Sequence, residues 1–104
     1  MSHDASAELL EIENQISKLQ DKIENLEDII DQKDDEVSRI KKGTFESHES
    51  YLERYERSEM AFLKFRNEKN AYIKEMKQEI SDLEARKKQL NEELFGGLDE
   101  SDDF

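Results

Sequence analysis

The chain contains no cysteine, no proline and no tryptophan, and only 3 of its 104 residues are glycine. Without cysteine there is no disulfide, no thiolate metal ligand and no thiol nucleophile. Hydrophobic residues make up only 34% of the chain, against 42% charged. A compact core cut from so small an apolar fraction would be thin. No window approaches the ~20 consecutive apolar residues of a membrane span. The opening stretch MSHDASAELL lacks the basic start and apolar run of a signal peptide, and no myristoylation or prenylation signal is present. These absences lead to the expectation of one small intracellular domain in the cytoplasm, with the nucleus left open and no membrane contact.

Positive charge is the other shortage. The formal net charge is −12. Residues 1–42 carry 12 acids and 6 bases, residues 43–95 carry 12 and 10, and residues 96–104 carry 4 acids and no base. Such a surface repels phosphate, so direct nucleic-acid binding is not expected. A protein partner with a basic surface, or simple solubility, fits the charge better.

What is abundant is Glu, Lys, Leu, Ile and Asp in helical periodicity, which reads as long helices packed along a seam. From Leu9 the apolar residues recur at alternating steps of three and four: Leu9, Ile12, Ile16, Leu19, Ile23, Leu26, Ile30, then Lys33, Val37 and Ile40. This is a heptad sustained over more than four repeats, broken only by Lys33. Ser6 suits an N-cap, and Gly43, after Lys41 and Lys42, suits a helix stop. Ser47 or Thr44 suits the cap of a second helix. Its regular heptad runs through Leu52, Tyr55, Phe62, Ile73, Met76, Ile80, Leu83, Leu90 and Leu94, with Glu59, Arg66, Lys69 and Lys87 at the remaining seam sites. Gly96 would end it. The expected organisation is a disordered 1–5, a helix over 6–42, a turn at 43–46, a helix over 47–95 and a flexible acidic tail over 96–104.

The turn decides the architecture. Folded back with facing positions summing to about 92, the chain sets Ile40 against Leu52, Val37 against Tyr55, Ile16 against Met76 and Leu9 against Leu83. The misplaced Lys33 then meets the misplaced Glu59, and Glu13 and Glu8 meet Lys77 and Arg86. In an unbroken parallel dimer, Lys33, Glu59, Arg66 and Lys69 would each face their own copies, which is unfavourable. The expected fold is therefore all-α: an antiparallel two-helix coiled-coil hairpin that self-associates, with a long parallel dimeric coiled coil as the alternative. That pairing leaves Leu90, Leu94 and Phe95 overhanging and Met60, Leu63 and Phe65 off the seam. These six are candidate contact residues for a second copy or another protein.

No catalytic constellation is present. His3 and His48 lack the spacing of a helical zinc pair, and no glycine-rich loop cradles phosphate. Carboxylates line helix faces rather than a pocket. Neither a metal, a cofactor nor an enzymatic activity is expected. The segment FLKFRNEKNAYIKEMK mixes bases with Phe62, Phe65 and Tyr72, a combination that stacks on single strands elsewhere, but Glu68 and Glu75 interrupt it.

Two short stretches resemble known families. GTFESHESY, with Gly43, Phe45 and Tyr51, resembles the coiled-coil tip of Gre-type transcript-cleavage factors, which insert a helical hairpin into the secondary channel of bacterial RNA polymerase. Thr44 and Ser47 stand where that family has its functional acids, so the resemblance implies channel entry without cleavage, with Phe45, Glu46 and Glu49 at the tip. The tail GGLDESDDF, ending on Phe104, is similar to the acidic, Phe-ended tails by which single-stranded-DNA-binding proteins recruit partners. The expected function is a non-enzymatic protein–protein interaction module: a scaffold, adapter or assembly chaperone using helix faces and the acidic tail. The alternative is an acidic hairpin that regulates or inhibits nucleic-acid machinery such as RNA polymerase or a replication complex.

Overall fold

In the computed structural model of the chain, which describes the backbone of residues 2–102 and the side chains of residues 5–95, two helices pack against each other as a helical hairpin. Helix α1 spans Ser2–Ser38 and helix α2 spans His48–Asp102. No strand occurs among the described residues. The break at 39–47 rules out the unbroken rod.

Both helices differ in extent from the expectation of 6–42 and 47–95. α1 ends before Lys41, Lys42 and Gly43 rather than after them. Its final turn is tightened by the Ile40 N–H donating to the Val37 carbonyl at 3.2 Å, which occupies a carbonyl that a helix end leaves free, while the Asp35 carbonyl accepts both the Arg39 N–H at 3.1 Å and Ser38 Oγ at 2.9 Å. Gly43 does not act as a left-handed cap, since no described glycine has positive φ. α2 continues through Gly96 and Gly97 to Asp102. Glycine lowers the cost of a stop without compelling one.

The chain divides into two units, each drawing on both helices: Met1–Lys22 with Glu75–Phe104, and Ile23–Lys74. In the first, Ile12, Ile80 and Leu90 are buried, Leu90 most completely at 1% exposure. Arg86 grips Glu8 through two bonds of 2.8 and 3.1 Å, and the Lys87 ammonium lies 3.6 Å from the Glu13 carboxylate. The side chains of these pairs are about two-fifths to one-half exposed, so they fix alignment more than they stabilise. In the second unit Ile23, Phe62 and Ile73 form the core. No charged or polar residue is buried among the described residues.

The facing register is displaced from the expected one by about one heptad. Val37 and Ile40 lie along Ser58, Ala61, Phe62 and Phe65 rather than meeting Tyr55 and Leu52. Glu13 reaches Lys87, not Lys77. Leu90, expected to overhang, is the best-buried side chain. The connection explains the shift. An extended segment advances about 3.3 Å per residue and a helix only about 1.5 Å. A nine-residue link at 39–47 therefore covers the first turns of α2 and delivers α1 further along it than a four-residue turn would.

The seam of α2 also departs from a regular heptad. Along the seam of the second unit Tyr51, Tyr55, Ser58, Phe62, Phe65, Lys69 and Ile73 are covered, Leu63 is half-buried off it, and Leu52, Glu59 and Arg66 are exposed. Two consecutive steps of four, at 65–69–73, make a stutter that locally unwinds a coiled coil. The stutter keeps Tyr55, Phe62 and Lys69 in place and turns the two charged misfits outward. Lys33 consequently makes no ion pair with Glu59. Its ammonium stands 5.2 Å from the centre of the Phe65 ring, and Lys69 lies 5.4 Å from the same ring. An aromatic face accepts the stripe's one cation without burying it.

Candidate functional site

The connection at 39–47 is the most specifically built part of the second unit. A β-turn closes where the Glu46 N–H donates to the Gly43 carbonyl at 3.2 Å. In return the Gly43 N–H donates to Glu46 Oε1 at 2.9 Å. Ser47 caps α2: its Oγ accepts from the Ser50 N–H at 3.1 Å, satisfying one of the helix's free donors. Glu49 sits in the first turn, where a carboxylate favours the positive helix end.

Arg54 holds this loop from the second turn of α2. One of its terminal nitrogens donates to the Lys41 carbonyl at 2.6 Å and to Glu46 Oε1 at 2.9 Å, and Nε donates to Glu46 Oε2 at 3.1 Å. The guanidinium lies 6.0 Å from the Tyr51 ring, and Tyr51 is 6.2 Å from Tyr55. The planar fork of arginine suits this bridging better than a lysine ammonium would. Sequence periodicity does not single out Arg54, because its partners Lys41 and Glu46 lie outside the helix and at no helical spacing.

The Glu46 side chain is mostly covered, at 17% exposure. Bonds from Arg54, then from the Gly43 N–H, hold its carboxyl down at about 2 from an ordinary 4.5, with desolvation opposing them. Glu8 is lowered for the same reason, its bonds to Arg86. A carboxyl depressed on folding adds stability above its unfolded pKa, and loses that contribution as pH falls through the folded value. The gap in melting temperature between the parent and Glu46→Gln is therefore expected to be widest above pH 4.5 and to close towards pH 2. Thermal melts followed by circular dichroism across that range check it. A constant gap removes the charge from the account of the loop.

At the apex of this clamped loop Phe45 is 100% exposed. The other expected contact residues are scattered. Met60 is 67% and Phe95 54% exposed, Leu63 and Leu94 are half-buried, and Phe65 lies under two lysines. Leu90 is interior and offers no surface. Phe104 lies outside the described residues. Glu46 is spent on Arg54 and the loop backbone, which leaves Phe45 and Glu49 facing outward at the tip.

Open grooves flank the seam. Among them, one of ≈ 470 Å³ is walled by Val37, Ile40, Phe62 and Phe65, and another, of ≈ 570 Å³, lies in the first unit between Ile16, Lys87, Lys88 and Phe95. Neither gathers a nucleophile, a base and an orienting group of the kind catalysis needs. Among the described residues no three His, Cys, Asp or Glu side chains are placed to hold a metal ion, and no helix is long and apolar enough to cross a membrane. No family model, curated protein or solved structure matches the chain.

Proposed function

We propose that the chain is a non-enzymatic protein–protein interaction module, an antiparallel helical hairpin that presents Phe45 to an apolar pocket on a partner protein. The observation that carries this reading is a wholly exposed phenylalanine on a loop held by three Arg54 bonds, a reciprocal Gly43–Glu46 pair and a Ser47 cap. An exposed phenylalanine gains nothing for the free chain, but aromatic side chains buried at the centre of an interface dominate binding energy. Ordering a loop beforehand removes part of the entropy cost of association. Scaffold, adapter and assembly chaperone all use such a contact, and the acidic tail supplies a second handle for a basic partner surface.

The test compares partners captured by the parent chain, Phe45→Ala and Arg54→Ala, with affinities measured on the recovered partner. Phe45→Ala is expected to weaken binding at least ~30-fold, the size of an interface hot spot, without changing the thermal melt. Arg54→Ala frees the loop while keeping the ring, and is expected to weaken binding less. Equal affinity of Phe45→Ala and the parent overturns the reading.

A further inference from the structure

The side of α2 turned away from the seam carries a second pattern, which starts at Glu49 beside the loop and runs along the helix. Glu49, Glu53, Glu56, Met60, Leu63, Asn67, Asn70 and Lys74 recur at steps of four and three, one stripe of a helix surface. All except the half-buried Leu63 are exposed. The acids lie on one side of Met60 and Leu63, and the amides and lysine lie on the other. We infer that this stripe is an interface for a second copy of the same chain, with the two α2 helices running antiparallel about a two-fold axis between Ala61 and Phe62.

In that arrangement facing positions alternate between the two heptad sites of the partner helix. Glu49 meets Lys74 of the second copy, Glu53 meets its Asn70, Glu56 its Asn67, and Met60 its Leu63. The symmetry repeats each pairing once. No layer opposes like charges: the centre is apolar, amides accept the inner acids and the outermost layer is an ion pair. Parallel order does the reverse, setting Glu49, Glu53, Glu56 and Lys74 each against its own copy. On the flanks Glu59 approaches Arg66 and Arg57 approaches Lys64, one attraction and one repulsion of comparable small size.

Sedimentation equilibrium of the full chain from low to high micromolar concentration tests this. The parent is expected to dimerise. Met60→Glu is expected to weaken the dimer at least tenfold with helix content unchanged, since Met60 is exposed in the single chain. Glu49→Lys is expected to weaken it, and adding Lys74→Glu to restore it. Single spin labels give the direction: the axial offset between copies is about 8 Å for Lys64→Cys and about 29 Å for Ala71→Cys in the antiparallel pair. A monomer at every concentration, an unaffected Met60→Glu dimer, or equal distances at the two labels overturns the inference. So does another protein occupying this face while the chain stays monomeric.

Discussion

Leu90→Ala is expected to destabilise the chain by about 2–5 kcal/mol, the range for truncating a buried leucine. Leu90 is the only described side chain that is essentially sealed from solvent, at 1% exposure. Removing its branched end costs both transfer energy and the cavity left behind. A chain of this length commands roughly 5–15 kcal/mol in total, so the loss is a large share of it. Urea unfolding followed at 222 nm should show the midpoint falling with the slope unchanged, the signature of altered stability rather than an altered unfolded state. Amide exchange should rise first in Met1–Lys22 and in the part of α2 from Glu75 onward. Under the register in which Leu90 overhangs, the same substitution would move nothing. An unchanged midpoint would therefore restore that register and remove the one described here.

Phe62→Ala is expected to cost about 3–5 kcal/mol, the range for a buried aromatic, with the lower end favoured by the open groove beside it. Phe62 is shared by the regular heptad and by the stutter, so its loss alone does not separate them. The separating measurement is on its neighbours. Glu59 and Arg66 are exposed in the structure, and Glu59→Ala and Arg66→Ala are each expected to stay within about 0.5 kcal/mol of the parent. In a regular seam both would sit at core sites and replacing them by alanine would stabilise. Reversing the charge with Glu59→Lys is expected to do as little: with Lys33 resting on Phe65, the melting temperature should hold.

The legible part of the fold was the part written in short-range periodicity. Every apolar residue of the α1 stripe from Leu9 to Ile40 is buried or half-buried, Ser47 caps α2, and the chain breaks between the two stripes. The Glu8–Arg86 pair was also readable. The register was not. With no polar group buried in the seam, no residue penalises a slip of seven strongly enough to be seen in a sequence, and the Lys33–Glu59 coincidence filled the gap. The stutter left one trace: Glu59 and Arg66 are both charged on the regular heptad, while Phe65 lies just off it. An eleven-residue spacing gathers Phe62, Phe65, Lys69 and Ile73 instead.

The early stop of α1 had no local signal at all. Basic residues and a glycine after Arg39 read as a helix end at Lys42, yet the Lys41 carbonyl belongs to Arg54, thirteen residues away. The tip residues themselves were readable, since Phe45, Glu46 and Glu49 stand in the break. That Glu46 is an internal fastening rather than a contact was not, because Arg54 lies eight residues on and at no spacing that pairs side chains on one helix.

A loop whose residues all keep negative φ places no demand for glycine on its sequence, and a methyl added at Gly43 would meet Glu46 only at ordinary contact distance, 3.5 Å. The segment is therefore open to replacement. Randomised residues at 44 and 45 should be displayed in a defined pose, provided that the two-residue span from Gly43 to Glu46 and Arg54 are retained. The part of the molecule best suited to varied cargo is thus fastened by a side chain that the cargo does not include.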